Sequence, residues 1–430
     1  MQPGDAIEVT VEKAVYRGLG LARHEGQVVF VPRGRPGDRL RVRVESVTPG
    51  YARAVTEAVL AEGPGPRPSP CPVFSQCGGC AYQHVDYGAQ LRLKEEILRE
   101  SLGRAGVAWP EAIPVAASPE RGWRTRAGFH VQQAGDAWRL GLHVEGTHRV
   151  VDLESCLQIS DAMNRTQRTL ARALGERPQQ ARRVASVEMA ESPDGRQLVV
   201  ALETDLQPAD VPHLATLADA VPGLTGFGAM AGPPQRRVYV PLRGEPYVES
   251  RVLGIALRAH VRSFFQANRF LTEELTRAVV EATPEGGAVL DLYAGVGLFA
   301  LALAKRADTV RGIEINPVAA EDAAHNARRA GLRNVSVTAG DVRKGLAAWR
   351  PDPGERIVLD PPRTGAGPDV VRAVAARKPA AVVYVSCDPP TLGRDLRALQ
   401  AAGYRLDLLR AFDMFPDTHH VETLARLVPV

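Results

Sequence analysis

The chain has 430 residues, of which 45% are hydrophobic and 24% charged, and it carries a formal net charge of +4. This length exceeds what one hydrophobic core serves, so two or three domains are expected, while so mild a basic balance leaves a nucleic-acid partner to be decided by local basic faces. No apolar run is long enough to cross a bilayer and no N-terminal signal pattern is visible, so a cytoplasmic protein is expected, and five cysteines in such a chain speak for metal binding or catalysis and against a disulfide scaffold.

Residues 1–60 alternate apolar and polar positions in short runs broken by Gly and Pro, which predicts a small antiparallel β-barrel. Ile7, Val9 and Val11 share one face, as do Leu40, Val42 and Val44, while Arg33, Arg35, Arg39, Arg41 and Arg43 fall on turns or the opposite face. A solvated surface explains such arginines in most proteins, and a barrel presenting cations to RNA phosphates explains them too. "AEGPGPRPSP" (61–70) is too rich in Pro and Gly for regular structure and reads as a linker.

Cys71-x5-Cys77-x2-Cys80 follows, three thiols in a short loop that Gly78 and Gly79 allow to wrap a metal centre. Cys156 is the candidate fourth ligand. Four thiolates suit zinc or an iron–sulfur cluster, and His84 offers zinc a different fourth ligand, so spacing alone leaves the metal open. A helix is predicted near 88–106, stopped by Gly103 or Gly106 and able to pack on the C-terminal domain. The rest of 61–262 is mixed, with strand-like runs at 137–146, 148–156, 196–204 and 236–242 around a helix at 161–176, which predicts a central α+β domain.

From residue 263 to 430 helical stretches alternate with apolar strands, the pattern of a mainly parallel, doubly wound sheet whose ligands bind beyond the strand carboxyl ends. In "VLDLYAGVGLFALALA" Gly295 and Gly297 separate a strand from a helix. Gly295-x-Gly297-x-x-Ala300 with Glu314 ending the next strand fits a dinucleotide fingerprint, so an NAD-dependent oxidoreductase is one reading. Asp291, four residues earlier, resembles instead the opening motif of S-adenosylmethionine (SAM) methyltransferases, in which Glu314 would hold the adenosine ribose. Asp360-Pro361-Pro362-Arg363 fixes a rigid exit after an acid-ended strand. A similar acid-Pro-Pro-aromatic motif marks methyltransferases acting on exocyclic amines, and Arg363 in place of the aromatic residue counts against that reading.

"AVVYVSCDPPTLGRDL" ends a buried strand on Cys387. Carbon 5 of uracil is a poor nucleophile, and a thiolate adding at carbon 6 would activate it, while a separate base removes the carbon 5 proton so that the thiolate can leave. Cys387 suits the first role and Glu422, in "HHVETLARL", the second; core filler and a surface charge are their ordinary alternatives.

Taken in order, "CPVFSQCGGCAYQH", "SFFQANRF", "DLYAGVGLF", "DPPRTGAG", "SCDPPTLGRDL" and "DMFPDTHHVE" resemble the RNA 5-methyluridine methyltransferase family, in its iron–sulfur branch acting on 23S ribosomal RNA. The resemblance spans nearly the whole chain. It implies an N-terminal OB-like barrel of the TRAM type, a central domain with a 4Fe-4S cluster on Cys71, Cys77, Cys80 and Cys156, and a Rossmann-like SAM domain. It further implies Cys387 as nucleophile, Glu422 as general base, and Gln266, Tyr293, Gly295, Glu314, Asp341 and Asp360 around SAM. Asp388 departs from the asparagine common after the cysteine in that family. A four-cysteine shell leaves no open iron, so the cluster is expected to be structural or to touch RNA.

A uridine in folded RNA must be flipped out to expose carbon 6, at a cost of roughly a few kcal/mol. Arg121, Arg124, Arg126, Arg182 and Arg183 are candidate phosphate contacts, with Trp123 and Phe129 as candidate stacking rings. The T-loop uridine of tRNA is the alternative substrate, and a non-catalytic RNA-binding protein the alternative of a different class. A monomer without a membrane partner is expected.

Overall fold

The computed structural model describes residues 1–233 and 236–430. Strands β1 (Ala6–Val15), β2 (Leu19–His24), β3 (Gln27–Pro32), β4 (Arg39–Thr48) and β5 (Tyr51–Ala61) close into a barrel in the order β1-β2-β3-β5-β4. Along β4 the side chains alternate: Leu40, Val42 and Val44 point inward with Val9, Val11, Val29 and Val31, and Arg39, Arg41 and Arg43 point out. The barrel is not wholly antiparallel. Because β4 pairs with both β1 and β5, closure brings β5 onto β3 in the same direction. Arg35 also differs from expectation: only 5% exposed, it forks onto Asp38, with Nη2 at 2.8 Å from Oδ1 and Nε at 3.2 Å from Oδ2, and is no phosphate contact.

Beyond Ala61, the last residue of β5, the Pro-rich stretch holds only an isolated bridge between Pro66 and Val85, and Gly63 N ties it to the barrel by donating to Asp38 Oδ1 at 2.8 Å. Helix α1 (Tyr87–Arg104) begins at Asp86, whose carboxylate accepts from Gly88 N and Ala89 N. Its Leu98 and Leu102 join the core that also holds Leu392, Leu396 and Leu399. A short strand, β6 (Val115–Ala116), then reaches the edge of the C-terminal sheet.

The central domain is built from β7 (Arg126–Ala134), β8 (Ala137–Gly141), α2 (Asp161–Glu176), α3 (Pro178–Ala181), β9 (Val184–Glu191), β10 (Leu198–Thr204), α4 (Ala215–Asp219), β11 (Gly226–Ala231) and β12 (Val238–Gly244). Its sheet runs β12-β11-β10-β9-β7-β8, with one apolar core against the helices. The run 148–156 is not a strand but an extended segment with a bridge between His143 and Val150. It buries Val150, Val151 and Leu153 and spends its length carrying Cys156 toward the cysteine loop.

A hairpin, β13 (Tyr247–Val252) and β14 (Ile255–His260), precedes residue 263 yet packs into the C-terminal core through Val252, Leu257 and Ala259. That domain continues with α5 (Thr272–Ala282), β15 (Ala288–Leu292), α6 (Leu298–Leu303), β16 (Thr309–Glu314), α7 (Pro317–Arg329), β17 (Val335–Ala339), α8 (Val342–Ala348), β18 (Arg356–Leu359), α9 (Gly367–Ala376), β19 (Ala381–Ser386), α10 (Pro389–Ala401), β20 (Tyr404–Phe412) and β21 (Glu422–Pro429). The sheet order is β17-β16-β15-β18-β19-β21-β20-β6, with β15 to β19 parallel and β21 antiparallel to its neighbours. Among the described residues no helix is long and apolar enough to cross a membrane.

Candidate active site

Chain order reverses at β15, which lies between β16 and β18, and at such a point the strand carboxyl ends open a crevice. The loop after β15 occupies it. Tyr293 adopts a φ of 66°, Ala294 N donates to Ile313 O at 3.0 Å, and Gly295 N donates to Glu314 Oε2 at 2.8 Å. Gly297 has a φ of 88°, and a Cβ there would sit 2.4 Å from Leu301 Cδ1 and 3.3 Å from Ala323 Cβ, so only glycine lets α6 close on α7. Asp291 is buried in β15 and accepts from Ala300 N at 2.8 Å, which ties the strand to α6; burial pushes its carboxyl up to about 8.

A narrow cleft is lined by Phe264, Phe265, Gln266, Tyr293, Gly295 and Asp360. Gln266 Nε2 donates to Asp360 Oδ2 at 3.0 Å, and burial pushes the Asp360 carboxyl up to about 7. Glu314 is braced across the loop, its other oxygen accepting from Asn316 N at 2.7 Å. Asp341 is exposed and caps α8 by accepting from Lys344 N at 3.0 Å; burial first, then the Asp341 charge, raises the ionisation of Tyr293 in the cleft lining. Two apolar side chains escaped the sequence reading. Phe264, 67% exposed, lines the cleft, and Ile315 is exposed directly after Glu314. Their signal was an apolar residue stranded in a loop beside a polar motif. Asn268, two residues after Gln266 in "SFFQANRF", is fully buried and accepts from Phe270 N and Leu271 N, holding the entry to α5.

Antiparallel pairing of β19 with β21 matches Ser386 to Thr423, which puts Cys387 and Glu422 side by side at the same end of the sheet. Glu422 is 2% exposed and its Oε1 has no partner. Burial first, then the Asp360 charge, raises its carboxyl well above the usual range, against the pull of Arg363. The half-buried Cys387 thiol is pushed up to about 12 by burial, then by Glu422 and Asp360, again opposed by Arg363. Two buried carboxyls and a thiol thus share one small, charge-poor space, where a cation would be welcome and a proton acceptor is at hand.

The other four cysteines line a second, small pocket with Phe74 and Leu142. N–H groups point at the sulfurs: Gln83 Nε2 and Gln158 Nε2 lie 3.2 and 3.0 Å from Cys80 Sγ, and Gly79 N lies 3.4 Å from Cys77 Sγ. Donors of this kind suit thiolates held by a metal centre. His84 takes no part, since its Nε2 is 2.7 Å from Arg33 O and its ring packs on Phe74. Among the described residues no group of three or more His, Cys, Asp or Glu is placed to hold a single metal ion.

Several RNA candidates of the sequence reading are overturned. Trp123 and Phe129 are buried to within 1% and cannot stack on a base. Arg124 serves Arg126 O at 2.7 Å and Gln158 Oε1 at 3.1 Å, and Arg126 serves the carbonyls of His260 and Val261, so both guanidiniums are internal braces. Arg121, Arg182 and Arg183 are exposed, the last paired with Asp205 at 3.0 Å.

Residues 1–56 match the TRAM domain, residues 353–428 the tRNA (uracil-5-)-methyltransferase family, and residues 251–384 the TRM5/TYW2 methyltransferase domain. The chain is 33% identical to an uncharacterised RNA methyltransferase of Halalkalibacterium halodurans, over 98% of this chain and 97% of that protein. It is 36% identical to one of Nitratidesulfovibrio vulgaris, over 99% and 96%. The crystal structure of Pyrococcus abyssi tRNA (uracil-54, C5)-methyltransferase in complex with S-adenosyl-L-homocysteine is 26% identical, covers 98% of this chain and 99% of that one, and superposes with a TM-score of 0.77.

Proposed function

The chain belongs to the RNA (uracil-5-)-methyltransferase family, and we propose that it methylates carbon 5 of a specific uridine through a covalent cysteine adduct. The observation that carries this reading is the pairing of Cys387 with the buried Glu422, whose Oε1 has no partner, both within the influence of Asp360 of the cleft lining. The thiol of Cys387 gives its proton to solvent, and its sulfur, as thiolate, adds to carbon 6 of the flipped-out base, which turns the carbon 5–carbon 6 double bond into an enolate with electron density on carbon 5. S-adenosylmethionine supplies an electrophilic methyl on a cationic sulfur, a charge suited to the neighbourhood of Asp360. Glu422 as carboxylate then takes the carbon 5 proton, and the Cys387–carbon 6 bond breaks to restore the ring. Gln266, Tyr293, Gly295, Glu314 and Asp360 bind the cofactor in the cleft, with Asp341 beyond it. Cys71, Cys77, Cys80 and Cys156 hold a 4Fe-4S cluster, a reading supported by their common cavity and by the N–H groups aimed at the sulfurs.

The substrate we favour is a uridine of 23S ribosomal RNA. A tRNA uridine is the second reading, favoured by the Pyrococcus relative that acts on tRNA. RNA carrying 5-fluorouridine decides the chemistry, because fluorine cannot leave as a proton does. Wild type is expected to accumulate a Cys387–RNA adduct with either the ribosomal or the tRNA fragment, and Cys387→Ser to form none. A fully active Cys387→Ser enzyme would overturn the mechanism. Mapping 5-methyluridine in ribosomal and transfer RNA with and without the protein identifies the substrate.

A further inference from the structure

One contact crosses from the N-terminal barrel to the residue beside the nucleophile. The turn between β1 and β2 carries Tyr16 out of the barrel, with Arg17 at a φ of 72°. The Tyr16 hydroxyl donates to Asp388 Oδ2, and its ring meets His419 edge-on, 5.8 Å between centroids. Gly18 permits this approach, since a Cβ there would lie 2.7 Å from that of Ala81.

Asp388 follows Cys387 and caps α10: its Oδ1 accepts from Thr391 N at 3.0 Å and from Thr391 Oγ1 at 2.9 Å. Its own N–H donates to Ser386 Oγ at 3.2 Å. Cys387 is therefore strung between the end of β19 and a carboxylate gripped at one oxygen by α10 and at the other by the barrel. A carboxylate has only acceptors, so each oxygen needs a donor, and the asparagine common in the family does not share that need. Burial and Asp388 push the Tyr16 ionisation upward, which keeps the hydroxyl a donor at any working pH.

We propose that Tyr16 is a positioning residue for methyl transfer, holding the Cys387 sulfur in line for addition through Asp388, so that a docked barrel and a competent nucleophile are one state. This rests on the reading of Cys387 as nucleophile. In Tyr16→Phe the ring and its contact with His419 remain and only the hydroxyl is lost. Adduct formation on 5-fluorouridine RNA and kcat are expected to fall about ten-fold, the usual weight of a hydrogen bond to a charged group. KM for both substrates and RNA affinity stay as in wild type. In an Asp388→Ala background, where the hydroxyl has nothing to hold, Tyr16→Phe causes no further loss. An unchanged adduct rate in Tyr16→Phe overturns the proposal, as does an equal loss in the Asp388→Ala background, or a loss confined to RNA affinity. A wild type that forms no adduct at Cys387 removes the nucleophile reading itself, a result distinct from these.

Discussion

On the proposed mechanism, the buried Glu422 carboxyl governs when the methylated adduct can resolve. Its carboxyl is raised by burial and by Asp360, so below that raised value the group is mostly protonated and cannot accept the carbon 5 proton. The rate at which the methylated adduct resolves should therefore climb with pH through the raised value and then level off. Glu422→Gln keeps the shape, removes the acceptor and should remove that climb as well. Methyl transfer precedes proton removal, so this variant is expected to accumulate a methylated RNA adduct on ordinary uridine, with turnover reduced at least about a hundred-fold, the low end for a lost general base. Denaturing gels with methyl-labelled cofactor would reveal it. Release of product at the wild-type rate would assign the proton to another group. Arg363 opposes the raised state of both Cys387 and Glu422, and by itself does not cancel it.

At the scale of elements, α1 lies outside the C-terminal domain in sequence and inside it by packing. Lys94 of α1 and Asp413 are both fully buried and paired, with Lys94 Nζ also donating to Phe415 O at 3.0 Å. Lys94→Met would leave the Asp413 carboxylate buried without its partner, and about 3–5 kcal/mol of unfolding free energy should be lost, with less lost in Lys94→Met/Asp413→Asn. Urea unfolding monitored in both variants checks this; equal losses would mean that packing, not charge, holds the helix. The alternation that yielded β4 and the glycine loop that marked the end of β15 were legible because strand period and left-handed turns are local properties. Trp123 and Phe129 were misread because nothing local says that their side of the segment is the one another layer covers. Arg124 and Arg126 look like free cations until the carbonyls that take them are in place. Chemistry alone proposed Cys387 and Glu422 as partners and the register of β19 with β21 sets them side by side, whereas the Tyr16–Asp388 bond joins residues 372 positions apart and leaves no local trace.

At the scale of the whole molecule, the segment from Asp413 to His420 is where all three domains converge ahead of β21, the strand that begins with Glu422. Ala81 N and Tyr82 N of the cysteine loop donate to Asp417 O at 2.8 and 2.9 Å, Gln90 Nε2 reaches Asp417 Oδ1 at 3.0 Å, and Arg67 Nη2 reaches the same oxygen at 3.1 Å. Tyr16 meets His419 from the barrel side. Segments anchored by so few elements open locally, at a free energy set by those anchors. Loosening the cysteine loop should therefore be felt first at residues 413–421 and hardly at β15 and β16, whose ends carry Tyr293, Gly295 and Glu314. Cys80→Ser takes away the thiol that receives N–H groups from both Gln83 and Gln158. Its amides in 413–421 should exchange about ten-fold faster than in wild type, equivalent to about 1.4 kcal/mol of local stability, while those of β15 and β16 keep their protection and S-adenosylhomocysteine still binds. Iron and sulfide contents measured on the same samples tell whether a cluster was lost with the thiol. Unaltered exchange in 413–421 would mean that the cysteine loop rests against the catalytic segment without supporting it, and uniform acceleration throughout the chain would mean that the three domains unfold as one.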